Sequence, residues 1–439
     1  MEREDVLRFV EDNNVKFIRF QFTDIGGIMK NIAINESNIE NALDGTIFDG
    51  SSIEGFARVG ESDMLLIPDL STLNIIPWRS QQGKVARFIS DVFLPDGRPF
   101  DGDPRYILKK TLAKAAKEGY TFDVGPECEF FLFHTDDRGL PTTQTHDTAS
   151  YFDLAPIDLG EDARREMCLV LEEMGFIIDA SHHEAAAGQH EIDFRHDEAL
   201  KTADNIMTFK MVVKIIAQKH GLHATFMPKP LSNEAGSGMH INMQLFKNGQ
   251  NVFADNTDPI GISKEARHFI GGIFKHINGI TALTNPLVNS YKRLIPGNEA
   301  PSYTTWSRNI RGPLIRIPIV RDGSAKLELL SPDAACNPYL ALSVLLEAGL
   351  EGIREGIEPP AEITENPMNM SAERMKELGV KRLPESLGDA LKAFEADELI
   401  KNTLGSYTFS RYLSIKRAEW EEYCRQVNEW ELERYLSIY

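Results

Sequence analysis

The chain is poor in cysteine: Cys128, Cys168, Cys336 and Cys424 are the four among its 439 residues. They lie far apart and form no CxxC pair, which argues against a zinc knuckle and a disulfide framework and favours reduced thiols in a cytoplasmic setting. No stretch approaches the roughly 18 apolar residues of a membrane span. Met1-Glu2-Arg3-Glu4-Asp5 is charged and lacks the apolar core of a signal peptide. Positive charge is also scarce, with 47 Lys and Arg against 66 Asp and Glu and a formal net charge of −19. Such a surface repels nucleic acid and anionic membranes, so neither is an expected partner. Internal repeats and low-complexity tracts are absent. So are a Walker A motif, a kinase signature set and a GxSxG elbow, which disfavours a serine hydrolase.

What is present is a large amount of core-forming sequence, 42% hydrophobic. Residues 15–100 read mostly as β. Val15 to Phe22 alternates with period two, and Lys84 to Phe93 reads as a second strand. Breakers at Pro95-Asp96-Gly97-Arg98-Pro99 and Gly102-Asp103-Pro104 place a domain boundary near 100, giving units of 1–100 and 101–439. Helices are expected over Arg105–Glu118, Asp162–Met174 and Ala203–His220, each closed by a glycine, and over the apolar stretch Pro338–Ile353. Residues 361–384 are loop-rich, and the tail from Glu395 is largely helical. The elements do not follow a regular βα alternation, so the fold class is α+β.

Glu127 and Glu129 interrupt this pattern. They precede Phe130-Phe131-Leu132-Phe133, a run suited to a buried strand. In a strand, i and i+2 share a face, so the two carboxylates stand side by side and repel unless a cation or proton separates them. A second acidic group surrounds the turn Ala185-Ala186-Ala187-Gly188. Gln189, Glu191 and Asp193 share a strand face there, and Glu184 and Glu191 can converge across a hairpin. A third segment runs through Gly236-Ser237-Gly238 into a strand with His240, Asn242 and Gln244 on one side. Met239, Ile241, Met243 and Leu245 take the other. Basic groups follow at Lys292, Arg293, Arg308, Arg311, Arg316 and Arg321, and Lys326, Glu328 and Leu330 share a face. Hard oxygen ligands favour Mg²⁺ or Mn²⁺ over zinc. Divalent cations beside several arginines fit phosphoryl transfer from a nucleotide.

These residues closely resemble type I glutamine synthetases, over nearly the whole chain. The resemblance is carried by Phe48-Asp49-Gly50-Ser51-Ser52 with Glu61-Ser62-Asp63, and by Lys229-Pro230 through Gly236-Ser237-Gly238-Met239-His240. It is carried also by Asn289-Ser290-Tyr291-Lys292-Arg293 with Pro296-Gly297-Asn298-Glu299-Ala300-Pro301. It implies a β-grasp domain, then a catalytic domain with a curved antiparallel sheet, in a homo-dodecamer of two hexameric rings. It implies glutamine formation from ATP, glutamate and ammonia. Two Mg²⁺ or Mn²⁺ ions per active site are implied, one held by Glu129, Glu184 and Glu191, the other by Glu127, His240 and Glu328. Nucleotide contacts are implied for Asp179, Asn242, Gln244 and Arg316, and glutamate contacts for Gly236, Arg293, Glu299 and Arg311. Arg311 and Arg316 would stabilise phosphates. Asp49 of a neighbouring subunit would take a proton from ammonium, and Glu299, on a flap, the next.

Four positions differ from the family pattern. Ala235 stands where Asn is usual, Leu330 where Arg is usual, Gln244 where Ser is usual, and Asp179 where Glu is usual. Lys326 replaces a frequent Arg. Ala235 and Leu330 fall at positions that hold the amino-acid substrate, with Arg293 or Arg308 as a compensating cation and altered acid or amine specificity as the alternative. Asn366-Pro367-Met368 lacks the tyrosine that many type I enzymes adenylylate, so that modification is not expected. Arg58 resembles a feedback-sensing arginine, and 2-oxoglutarate or a nitrogen-regulatory protein is a candidate effector.

Overall fold

The computed structural model describes residues 1–53, 55, 63–78, 83–296, 300–310, 312–319 and 324–439. Period-two alternation builds the first sheet. In Val15–Thr23, Ile18, Phe20 and Phe22 point into a core shared with Phe88 and Val92 of Lys84–Phe93. Val15–Thr23 pairs antiparallel with Met29–Asn35 and parallel with Lys84–Phe93; Asp63–Pro68 and Thr46–Asp49 extend the sheet beyond. The N-terminal helix Arg3–Asp12, not foreseen from the sequence, covers this core through Val6 and Val10.

The second sheet is larger and mostly antiparallel. Its order runs Trp306–Ser307, Ile315–Arg316, Leu327–Leu329, Met239–Lys247, Tyr120–Thr135, Gln189–Phe194, Ile178–His183. Phe122, Val124, Cys128, Phe130 and Leu132 of the long central strand join Met239, Ile241, Met243 and Leu245 in one core. Helices Ala199–Lys219, Lys264–Thr284 and Pro338–Glu355 supply the rest of it. The expected helices form, with one notable shift. The third begins at Ala199 rather than Ala203, because Ala199-Leu200-Lys201 are strong helix formers. A further long helix not among those expected, Lys264–Thr284, is capped by Ser263, whose side chain accepts from Ala266 N.

A buried cation ties the first sheet to the helices that back the second. Arg105, 3% exposed, bonds Asp69 at 2.8 Å and Asp91 at 2.7 Å from the first unit, and Asp204 at 2.9 Å from helix Ala199–Lys219. A second ionic node fastens the C-terminal helices. His276 lies with Nδ1 2.8 Å from Asp397, the cap of helix Glu398–Cys424, and with Nε2 against Glu351. Burial pushes the imidazole pKa down, but the two carboxylates outweigh it and raise it above the ordinary value. A raised histidine stabilises the fold fully below its unfolded pKa of about 6.5, and that contribution is lost as pH rises through the folded value. His276→Gln is therefore expected to lower Tm by a few degrees at pH 6, with the difference from wild type shrinking toward pH 9. A pH series of thermal melts checks this.

Candidate active site

Strand register assembles the site. The central strand Tyr120–Thr135 pairs Glu127 with Asp193 on one side and with His240 on the other, and pairs Glu129 with Glu191. One strand further out, Asn242 pairs with Glu328, and Glu328 with Arg316. Because side chains alternate across a strand, one face collects carboxylates from three strands that are distant in sequence, with His240 from a fourth.

Two groups of ligand atoms result, each within 4.8 Å: Glu127, His240 and Glu328, and His182, Glu184 and Glu191. In the first, His240 Nδ1 is 3.1 Å from Glu127 Oε2 and 3.5 Å from Glu328 Oε1. Asn242 Nδ2 donates to Glu127 Oε1 at 2.8 Å, and Arg316 Nε to Glu328 Oε2 at 2.5 Å. Glu328 is 1% exposed, yet its Oε1 has no hydrogen-bond partner. A buried carboxylate oxygen left this way costs free energy that a bound cation would recover. In the second group, His182 lies 3.6 Å from Glu184 and 3.9 Å from Glu191. Glu129 stands beside it, and its Oε2 accepts from Gly238 N at 2.8 Å and Gln189 Nε2 at 3.0 Å. The donor set, mainly carboxylate oxygen with imidazole, fits a hard divalent ion.

The electrostatics agree. Burial drives the Glu191 carboxyl well above the usual carboxylate range, with the charges of Glu129 and Asp193 adding to it. Asp193 is raised as well, burial again the leading cause. Glu127 goes the other way: burial opposes ionisation, but the His240 hydrogen bond and charge prevail and hold it at about 2. Glu191 and Asp193 are thus the carboxyls of this face that hold their protons most tightly when no cation stands beside them. A cation must displace those protons, so Mn²⁺ binding is expected to release protons near pH 7 and to tighten as pH rises. Titration of Mn²⁺ into weakly buffered protein with a pH indicator reads both effects.

The glycine loop is shaped by close approach. A Cβ on Gly236 would sit 2.5 Å from Pro228 O, and one on Gly238 2.4 Å from Arg293 Nη2, so only glycine fits there. Arg293 is 4% exposed, and its guanidinium donates to the carbonyls of Leu330, Ser331 and Pro332. Ala235 packs against a small apolar cluster of Phe131, Phe133 and Ala186. Arg308 pairs with Glu362.

Other expected residues stand elsewhere or differently. Asn242 and Gln244, expected on the open face of a half-buried strand, are both buried; Gln244 Nε2 donates to Ala325 O at 3.3 Å, because the chain entering Leu327–Leu329 covers it. Asp179 is exposed on the outermost strand, 3.5 Å from Arg195. Asp49 is exposed at the end of its strand on the other sheet, where hydrogen bonds from Ser51 lower its pKa. Arg58, Glu299 and Arg311 lie outside the described residues. His182 and Asp193 enter the site without having been proposed as ligands. The signal for His182 was available, since it stands two residues before Glu184.

A curled antiparallel sheet bearing two carboxylate–imidazole groups, with arginine at its edge, defines a divalent-metal-dependent enzyme suited to phosphoryl chemistry. The chain belongs to the glutamine synthetase family: residues 14–95 match its β-grasp domain and residues 101–435 its catalytic domain. It is 56% identical over 438 residues to a glutamine synthetase of Clostridium saccharobutylicum, covering 100% of this chain and 99% of that one. It is 52% identical to one of Methanosarcina mazei, covering 99% and 98%. Among solved structures, a GmaS/ADP complex superposes with a TM-score of 0.89 at 33% identity, and Plasmodium falciparum glutamine synthetase with 0.89 at 25%, each covering 99% of both chains. The family is ATP-dependent and uses divalent metals. Among the described residues no helix is long and apolar enough to cross a membrane.

Proposed function

We infer that this chain is an ATP-dependent glutamate–ammonia ligase that forms glutamine through a γ-glutamyl phosphate. The observation that carries the reading is the strand register that stacks Glu127, His240 and Glu328 beside His182, Glu184 and Glu191 on one sheet face, in a chain that matches the family along its length.

A carboxylate is a poor electrophile because its leaving group would be oxide. The γ-carboxylate oxygen attacks the γ-phosphorus of ATP, and the bond to ADP breaks. Ammonia then attacks the carbonyl carbon and phosphate leaves. Divalent ions, Mg²⁺ or Mn²⁺, two per site, would neutralise phosphate charge and align nucleotide with substrate. Glu129, Glu184 and Glu191, with His182 adjoining, would hold one; Glu127, His240 and Glu328 would hold the other. Arg316 sits beside Glu328, half exposed, where it can meet a phosphate. Arg311 would share that task, Asp179, Asn242 and Gln244 would contact nucleotide, and Gly236, Arg293, Glu299 and Arg311 would contact glutamate. Ammonium must shed a proton before it can attack. Asp49, exposed and held ionised by Ser51, suits that role from a neighbouring subunit, and Glu299 would accept the second proton.

A homo-dodecamer of two hexameric rings in the cytoplasm, with domains of 1–100 and 101–439, completes the proposal. Exposed apolar residues recur along the C-terminal segment at Val427, Trp430, Leu436 and Ile438, and apolar side chains gathered on one exposed segment support assembly. Arg58 is the proposed effector contact.

The test is phosphate release from ATP with glutamate, ammonium and Mg²⁺, with glutamine quantified in parallel, across a panel of acids and amines. Glutamine and phosphate in equal amounts are expected. Turnover confined to another acid or amine would overturn the reading.

A further inference from the structure

Behind the hairpin that carries Glu184 and Glu191 lies a buried ionic cluster that the proposed chemistry does not use: Asp147, Asp158, Arg164, His183 and His190. His183 and His190 alternate with the site-facing residues, so they project from the reverse face of the same two strands.

Asp147 sits at its centre with a side chain 0% exposed. Its Oδ1 accepts from Gly188 N at 2.9 Å and lies 3.2 Å from His183 Nε2. Its Oδ2 accepts from Leu159 N at 3.3 Å and lies 3.3 Å from His146 Nε2. The other nitrogen of His183, Nδ1, is 2.7 Å from Glu184 O. Both ends of this imidazole therefore face acceptors, and the ring braces the backbone of Glu184 against the Asp147 carboxylate. Gly188, at φ +68°, is held on its other side by donation from Leu132 N to Gly188 O at 2.8 Å. A Cβ there would fall 2.9 Å from Leu132 O. The turn between Glu184 and Glu191 is thus gripped at both ends.

The four carboxylate and imidazole groups also lie close enough to hold an ion, but the cluster already contains its cation. Arg164 reaches Asp158 Oδ2 with Nη2 and His190 Nδ1 with Nη1, each at 2.9 Å. It also donates to Ser181 Oγ at 3.3 Å. A metal here would meet a guanidinium at contact distance.

We propose that Asp147, backed by Asp158 and Arg164, is a positioning residue that sets the spacing of Glu184 and Glu191, and so tunes the affinity of one of the two divalent-cation sites. The inference rests on the metal roles given to Glu184 and Glu191 above. It follows from how second-layer partners fix ligand orientation, where loss commonly costs about 10–100-fold in metal affinity.

The test is Mn²⁺ binding to the assembled full-length protein, followed by the electron paramagnetic resonance signal of free Mn²⁺. Asp147→Asn keeps the shape and removes the charge. It is expected to weaken one of two Mn²⁺ sites by about tenfold or more and to leave the other unchanged. Asp162→Asn, exposed on the same helix as Arg164, is the control and should leave both as in wild type. Two sites of wild-type affinity in Asp147→Asn would overturn the proposal, even if Tm falls, because that pattern is a purely structural role. If Asp147→Asn does not assemble, Asp158→Asn carries the same expectation and the same overturning result. Wild-type protein binding fewer than two Mn²⁺ per chain would instead overturn the metal roles themselves.

Discussion

Glu127→Gln is expected to lower kcat/KM for glutamine formation by about 10²–10³-fold, the scale seen when one group stabilising transition-state charge is removed. The substitution preserves shape. The amide oxygen can still accept from Asn242, which donates to Glu127 Oε1 at 2.8 Å, so the fold and the register with Met239–Lys247 remain. What is lost is a negative charge that His240 and Asn242 hold ionised, with a pKa near 2. With Glu328 already engaged by Arg316 at 2.5 Å, the group of Glu127, His240 and Glu328 loses a principal anionic donor. The apparent Mg²⁺ requirement should therefore rise together with the loss of kcat. Steady-state kinetics across a Mg²⁺ series measure both. An unchanged metal requirement would remove Glu127 from the proposed ligand set.

Leu330→Arg is expected to lower KM for glutamate by about 10- to 100-fold, which corresponds to the roughly 1.5–3 kcal/mol of a charge-assisted contact. Leu330 follows Glu328 by two residues and is 9% exposed; its amide bonds Leu314 O, so the backbone there is fixed. Two arginines were candidates to replace the missing cation. Arg293 donates to three consecutive carbonyls, those of Leu330, Ser331 and Pro332, beneath the glycine loop. Arg308 pairs with Glu362. Both guanidiniums are engaged with protein, which makes a new arginine at 330 more valuable to an α-carboxylate. KM for ATP should not move. Leu330→Met, close in volume, controls for repacking. An unchanged glutamate KM in Leu330→Arg would mean that the substrate carboxylate is already fully held by other residues.

Much of the fold was legible because its signals are local. Period-two alternation marked Val15–Thr23, and Lys84–Phe93 was read to its observed ends. Terminal glycines closed three helices near their observed limits. Helix Lys264–Thr284 carries the same kind of local signal, with Lys264, Arg267, Lys275 and Asn278 at helical spacing on its open face and Ser263 as its cap, so it was legible in the sequence as well. The site was legible in part for the same reason. Glu127 beside Glu129, and His240 beside Asn242, are same-strand pairs fixed by the pleat. The engagement of Arg293 with backbone carbonyls and the packing of Ala235 on Phe131 and Phe133 depend on partners far away in sequence, and no local pattern announces them.

By itself, the sequence determined which residues could serve. Carboxylates interrupting apolar strands, a single imidazole after a glycine loop and an excess of acidic charge specified hard-cation chemistry, and the motifs specified the family. Only the tertiary structure decided which of these residues meet. A one-residue slip between Tyr120–Thr135 and Met239–Lys247 would turn His240 away from Glu127. That register is set by burial of Phe122, Val124, Cys128 and Phe130 against the helices, an energy summed over the whole core rather than written in any segment. The same summation placed Asp147 behind the Glu184–Glu191 turn, where nothing in its own neighbourhood of the sequence would have put it.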